Sequence, residues 1–538
     1  MAASLILPLL LLWSSCRSEF ENSPAVDAAL GSGGNGSTPH YVATWIEDGR
    51  LKPHARSLLA DLCRTEQYGL VSWAYSPESL VQALERFAKD QNASNAAELD
   101  SQLTSAFTRY SGDLLRGRVD PKELASEMYL TGPEVSADSV MMRILSGQAP
   151  ESIRSLLAPN HPGYLRLDKA LAGYRALAEK GGWPRIASGD VIKPGERDAR
   201  VPNLRHRLAI TGDLDENQAS DNSLYDADVQ AALAHFQRRH GIDVDSALGP
   251  ATLEALNVPV EDRIRQIQLT LERWHWLPRR LGERYVIVNI PAFLVHAYVK
   301  EDLVLTMRAV VGSELKAKQT PVFSDMMDYV VFRPYWNVPQ EIAINEILPK
   351  VEEDESYLQD NRYELIDDEG QVVDSDDPDL DKVESGTYRV RQLPGPANAL
   401  GLVKFIFPNE HNVYLHDSPA DHLFDESARD FSHGCIRLED PARFAEFVLG
   451  PQGWTSAAIQ SALRGERKQV ELETPIPVYI VYLSAFVLED GTVSFRNDIY
   501  GLDEALDGAL KKYNEPALEQ AGPNASSCER IHNALDEL

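Results

Sequence analysis

One stretch, residues 412–444 (NVYLHDSPADHLFDESARDFSHGCIRLEDPARF), holds the residue types that nucleophilic chemistry needs. A thiol at its ordinary pKa of ~8.5 is mostly protonated at neutral pH, so a nucleophilic cysteine needs a nearby imidazole and a field that favours the thiolate. Cys435 is the candidate nucleophile. His416, nineteen positions upstream, follows the strand-like run Val413-Tyr414-Leu415 and is the candidate base. Gly434 lets the chain turn tightly, so that the N–H groups of His433, Gly434 and Cys435 can point at one spot, as an oxyanion hole requires. Downstream, Asp440-Pro441 reads as the N-cap and first turn of a helix ended by Gly450, so the cysteine lies just before a helix, where negative charge is favoured. Three other readings compete, one being that the histidines are simply surface residues, the default for any one of them alone. A buried structural cysteine does not explain the flanking histidines. A zinc site drawing on His411, His416, His422, His433 and Cys435 lacks a CxxC or HxxxH pair, so no metal is assigned.

The elements that must position these groups are strands. From about 283 to 500 the apolar period becomes strand-like, in short Val-, Ile- and Phe-rich runs at Tyr285–Ile290, Leu303–Val311, Tyr329–Phe332 and Val403–Phe407. Val478–Leu488, the Asp490-Gly491 turn and Val493–Phe495 read as a late hairpin closing this domain. Residues 40–194 instead show helical periodicity (Leu80, Leu84, Phe87; Leu103, Phe107, Leu114) and read as a helical scaffold, with Cys63 a small buried hydrophobe. Gly132-Pro133 and Pro162-Gly163 interrupt the helices. Residues 195–258 form a small helical unit in which Val229, Ala232, Leu233 and Phe236 mark one buried face. A connecting helix (259–282) follows, and residues 501–538 read as a helical, then polar tail that contains Cys528. The fold class is multidomain α+β.

Composition bounds the partners. The 538 residues carry 52 Lys and Arg against 82 Asp and Glu, a net charge of −30, which argues against nucleic-acid binding. No apolar run approaches the ~18–20 residues that span a bilayer. Leu5–Trp13 is apolar over the length of a signal h-region, so residues 1–15 read as a signal peptide and the chain as exported. Ser14-Ser15-Cys16 is similar to a bacterial lipobox, which makes a lipid anchor at Cys16 one reading; a plain cleaved signal and a short membrane anchor are the others. Residues 16–39, with GSGGNGST, form a flexible linker. Four cysteines do not make a disulfide framework, although Cys63 and Cys528 could pair.

The motif from His416 through Ser432, His433, Gly434 and Cys435 to Arg437 resembles the signature of the L,D-transpeptidase (YkuD-like) catalytic domain. Val311-Gly312, Thr320-Pro321, the RPYWNVP stretch (333–339) and LPGPANALG (393–401) agree with it. The pattern FQxxHGI…LGPxTLxALN within 195–258 resembles a peptidoglycan-binding domain, and the whole chain resembles the large YcbB-type enzymes, with a capping insertion at about 340–400. The resemblance implies a periplasmic enzyme that attacks peptidoglycan stem peptides after meso-diaminopimelate, releases D-Ala through a Cys435 thioester and joins the acyl group to the amine of a second stem. It implies His416 as base, with its other ring nitrogen held by a carbonyl such as that of Asp417. The N–H groups of His433, Gly434 and Cys435 would form the oxyanion hole, and the His433 ring would help to shape the site. Arg437 is either the partner of a substrate carboxylate or a brace of the loop. Tyr414, Trp336, Asn337 and Ser432 would line the site. No cofactor is implied, and carbapenems would acylate Cys435. With water as acceptor the same site is an L,D-carboxypeptidase; a non-enzymatic wall-binding scaffold is the reading from another class. Between Val351 and Lys382 the insertion holds 14 Asp or Glu against Arg362 and Lys382, and reads either as a solvated loop or as a lid that attracts the acceptor amine.

Overall fold

The computed structural model describes residues 45–538 apart from 125–127, 129, 131, 133–135, 146–151, 374–378 and 521–526. The apolar N-terminal run, Cys16, the whole 16–39 linker and Asp374, Asp376 and Asp377 of the insertion lie outside the described residues. Two compact units divide the chain: 45–118, 134–158 and 512–538 belong to one, and 119–133 with 159–511 to the other.

In the second unit eight strands close into a barrel. They are β1 (Arg284–Asn289), β2 (Leu294–Val299), β3 (Asp302–Val310), β4 (Phe323–Phe332), β5 (Val403–Ile406), β6 (Leu415–His416), β7 (Ile436–Leu438) and β8 (Lys468–Val481). Around the barrel the order is β5-β6-β7-β3-β2-β1-β8-β4, and β4 pairs again with β5. Only β6–β7 and β8–β1 run parallel among these pairs. Because side chains alternate along a strand, one face of each strand feeds a shared core and the other faces away. Val330, Phe332, Val403, Phe405, Leu415, Ile436 and Leu438 all lie in that core, together with Phe444 and Val448 of the helix Pro441–Leu449. Asp440 caps that helix by accepting from the Arg443 N–H, as its Asp-Pro start predicts.

Closure differs from the expectation. The barrel is completed by the 14-residue β8, whereas Ala485–Val487 and Val493–Phe495 pair as a separate hairpin outside it. The first half of β8 is KQVELE, too polar to read as a core strand.

Between β4 and β5, the insertion is a folded subdomain. Trp336–Asn337, Arg389–Gln392, Tyr363–Ile366 and Val372–Val373 form a four-stranded sheet in that order. Its own core contains Val338, Ile347, Leu348, Val351, Leu358, Leu365, Val383 and Val390. Its described acidic residues therefore belong to a packed structure, and Asp367 caps its own turn by accepting from the N–H groups of Glu369 and Gln371.

The small helical unit has three helices, Val201–Ile210, Ala227–His240 and Pro250–Asn257, around Val229, Leu233, Phe236, Leu248 and Leu256. Asp226 caps the middle helix and Gly241 ends it in the left-handed conformation. The helix Pro162–Glu179, which sequence periodicity groups with the scaffold, packs instead on Val260–Trp274 in the second unit.

The first unit is helical, with a core of Trp45, Leu58, Leu80, Leu84, Phe87, Leu103, Phe107 and Tyr110. The C-terminal residues are not a free tail. The helix Ser527–Asp536 adds Ile531 and Ala534 to this core, and Arg530 bridges Glu78 and Glu85.

Candidate active site

Strand register assembles the site. On the parallel pair β6–β7, His416 lies opposite Arg437 and Leu415 opposite Ile436, and the Ile436 N–H donates to the Tyr414 carbonyl at 3.1 Å. Leu415, Ile436 and Leu438 point into the core, so Tyr414, His416, Cys435 and Arg437 share the outer face. On β5, Lys404 is opposite His416 and extends the same row.

His416 is buried, and its Nδ1 donates to the Asp417 carbonyl at 2.5 Å, the partner expected above. That tautomer leaves Nε2 as a bare acceptor. Burial, with the Arg437 guanidinium adding to it, pushes the imidazole down to about 3, so the ring is neutral at physiological pH. Asp417 is itself anchored: its Oδ2 accepts from the Leu402 N–H at 2.7 Å, tying the end of LPGPANALG to the base. Asn398 in that motif is buried and donates to the carbonyls of Pro334, Gln392 and Leu393, which fixes RPYW and LPGPANALG together.

Cys435 is half-buried, and its Sγ–H points at the Asn412 carbonyl, 3.7 Å away. Burial raises the thiol pKa, opposed by contacts with Tyr414 and by the charges of Lys404 and Arg437. The resting pair is thus a neutral thiol beside a neutral imidazole.

The turn before Cys435 is held from several sides. Gly434 has φ 108°, open only to glycine at low cost. Its carbonyl accepts from Thr320 Oγ1 at 2.9 Å, and Thr320 Oγ1 accepts from the Gly312 N–H at 2.8 Å. Gly312 must lack a side chain, because a Cβ there would sit 2.1 Å from the Lys318 carbonyl oxygen. Tyr500 closes the bracket by donating to the Gly312 carbonyl at 2.5 Å.

Two expected lining groups are elsewhere. Ser432 is buried; its hydroxyl donates to the Cys435 carbonyl at 2.6 Å and accepts from the Gly434 N–H at 3.1 Å, so it braces the turn. The Gly434 amide is thereby occupied within its own turn. Trp336 pairs with Gln392 and packs toward Tyr363 within the insertion's sheet. Tyr414 lies beside the reactive pair, its ring 5.7 Å from that of His416. Asn337 lines a cleft beside Lys404, and Arg437 is half-buried with its Nε unpaired.

The His433 ring faces the insertion. Its Nε2 is 2.6 Å from Glu346 Oε1 and 2.7 Å from Lys318 Nζ, and Lys318 also bonds Glu346 at 3.1 Å. Lys318 and His433 hold the Glu346 carboxyl below its ordinary range against the effect of burial. Lys318 with Thr320, Glu346, Lys404, Asn412 and Tyr500 come from five stretches of chain, of which the motif Thr320-Pro321 and the 412–444 stretch pointed to two. Among the described residues, no group of three or more His, Cys, Asp or Glu is placed to hold a metal ion.

Comparison with known proteins bears on the domains of the chain. Residues 283–480 match the YkuD family, described as "L,D-transpeptidase catalytic domain". Residues 37–171 match a "Scaffold domain", and 197–256 a "Putative peptidoglycan binding domain". A Haemophilus influenzae protein described as "Putative L,D-transpeptidase" is 33% identical over 236 residues, 42% of this chain and 47% of that protein. The chain thus spans about half the length of that curated relative. The N-acetylmuramoyl-L-alanine amidase CwlM of Mycobacterium tuberculosis is 34% identical over 80 residues, 14% of this chain and 20% of that protein. Among solved structures, the L,D-transpeptidase of Xylanimonas cellulosilytica aligns at 14% identity, covering 55% of this chain and 99% of that one, with a TM-score of 0.17. The fold and site define a barrel with a thiol and an imidazole on its outer face. The chain carries a scaffold domain, a peptidoglycan-binding domain and an L,D-transpeptidase catalytic domain, in that order along the sequence.

Proposed function

We propose that this protein is a cysteine-dependent L,D-transpeptidase that cross-links peptidoglycan stem peptides in the periplasm. The observation that carries the reading is the β6–β7 register, which sets Cys435 and a tautomer-fixed His416 on one outward face. As the Cys435 sulfur attacks the diaminopimelate carbonyl that is amide-bonded to D-Ala, its proton passes to His416 Nε2. The amides of His433 and Cys435 stabilise the oxyanion. Collapse of the tetrahedral intermediate breaks the bond to D-Ala, whose leaving amine takes the proton from His416. The thioester then reacts with the amine of a second stem, which loses its proton to the same imidazole and restores the thiol. Arg437 suits a substrate carboxylate better than a role as brace, because its Nε has no hydrogen-bond partner among the described residues. The substrate lies outside the cytoplasm, consistent with export; lipidation at Cys16 would tether the chain there.

Incubation with disaccharide-tetrapeptide, resolved by mass spectrometry, tests this reading. Wild type should yield dimers and free D-Ala. Cys435→Ala should yield neither while retaining binding to sacculi, and meropenem should add one adduct at Cys435. Cross-linking by the Cys435→Ala variant would remove the assignment, and tripeptide without dimers would make the enzyme a carboxypeptidase.

A further inference from the structure

The outer face of the barrel runs past the reactive pair into a basic cleft. Lys404 on β5 lies opposite His416 on one side and Val331 on the other, so the cleft begins one strand, ~4.8 Å, from the imidazole's strand. Val331, Tyr335, Asn337, Arg391, Lys404 and Arg467 line a cavity of about 340 Å³. Three of these six are cations, in a chain of net charge −30.

The three cations differ in their partners. Arg391 is paired with Glu364 on the neighbouring strand and lies 4.5 Å over the Tyr335 ring, so its charge is already answered. Lys404 and Arg467 have no ion-pair partner among the described residues. The Lys404 ammonium sits 5.2 Å over the Tyr414 ring, half-buried. Burial and the nearby Arg467 charge both press its pKa down. A half-buried ammonium next to a second cation is unfavourable by itself and becomes favourable once an anion enters.

We propose that Lys404 and Arg467 form a carboxylate subsite for the donor stem peptide, separate from Arg437. Arg437 on β7 is two strands from Lys404 on β5, on the far side of His416, so one peptide laid across the row can engage both ends. Asn337 offers an amide to the same anion, and Tyr335 supplies an apolar wall. Two carboxylates of a stem peptide fit this chemistry: the α-carboxylate of the γ-linked D-glutamate, and the far carboxylate of diaminopimelate. The proposal rests on the transpeptidase reading for its ligand.

Isothermal titration of full-length Cys435→Ala protein with three tetrapeptides tests it: the unmodified peptide, one amidated at the glutamate carboxylate, and one amidated at the far diaminopimelate carboxylate. One amidated peptide should bind about tenfold more weakly than the unmodified one, the loss expected for a charge-assisted contact. Adding Lys404→Met should weaken the unmodified peptide by a similar factor and leave that amidated peptide unchanged, which identifies the carboxylate. Arg467→Gln, at an exposed position, should give the same pattern with a smaller loss, and it serves if Lys404→Met does not fold. If both substitutions weaken all three peptides equally, or weaken none, the subsite is overturned. Cys435 acylation of the wild type by unmodified donor is measured in parallel. Its absence alongside the amidation pattern removes the transpeptidase reading and spares the subsite, whereas acylation without the pattern removes the subsite alone.

Discussion

At the scale of single residues, the protonation of His416 sets how the site responds to pH. An imidazole of ordinary pKa ~6.5 would lose its basic form as pH falls through that value. Burial first, and Arg437 second, hold His416 near 3, so it stays unprotonated through the whole neutral and mildly acidic range. The rate of Cys435 acylation should therefore show no fall centred near pH 6.5, and the acid limb should appear below about pH 4. Arg437→Met should move that limb to higher pH by removing a repulsive charge. A pH–rate profile followed by intact mass decides; half-loss of rate near pH 6.5 in wild type would contradict it. Cys435, His416, His433 and Gly434 were legible because they crowd into one motif. Lys404 and Glu346 were not, since only strand register and a folded insertion bring them to the site. Ser432 was misplaced for a subtler reason: its hydroxyl faces back into its own turn, a direction no sequence shows.

At the scale of elements, two contacts decide whether the active-site turn keeps its shape. The first is the approach of Gly312 to the Lys318 carbonyl, where a methyl group would lie 2.1 Å from backbone oxygen. Gly312→Ala should destabilise the catalytic unit by about 3 kcal/mol and slow Cys435 acylation sharply, since the bonds through Thr320 reach Gly434. Thermal unfolding with unchanged midpoint would show that the turn can yield. The second contact is the Glu346–His433–Lys318 cluster, which joins the insertion to the turn. These groups are about one-third exposed, so solvent screens them and the cluster contributes under about 1 kcal/mol. Glu346→Gln should speed amide exchange over 340–353 by up to about fivefold, and exchange at the wild-type rate would leave the insertion held by other contacts. Strands rich in Val and Phe were legible from composition. The polar start of β8 concealed the strand that closes the barrel, and the hairpin after it was read in its place. What makes KQVELE a strand is a long antiparallel partner, β4, more than 130 residues away in sequence.

For the whole molecule, the succession of helical, small helical and β-rich segments follows local periodicity and was readable. The return of Ser527–Asp536 to the N-terminal helices was not, because Ile531 and Ala534 find their core only through distant packing. Burial of imidazoles in the second unit has a thermodynamic consequence. His240 and His416 are both buried and neutral, with pKa values pushed below the ordinary 6.5 by desolvation before any other cause. In the unfolded chain they bind protons as pH falls through 6.5; folded, they do not until far lower pH. The unfolded state thus holds more protons across this window, so stability is full above about pH 6.5 and is lost progressively on acidification. For His416, whose pKa is about 3, the loss by pH 4 is about 3 kcal/mol. Asp417 acts in the opposite direction, its carboxyl raised by burial, and offsets part of that loss. Urea midpoints of the full chain should fall steadily from pH 7 to pH 4, and His240→Gln, which cannot titrate, should flatten the slope even if it lowers stability at pH 7. A midpoint constant over that range would mean that water reaches these imidazoles in the folded protein.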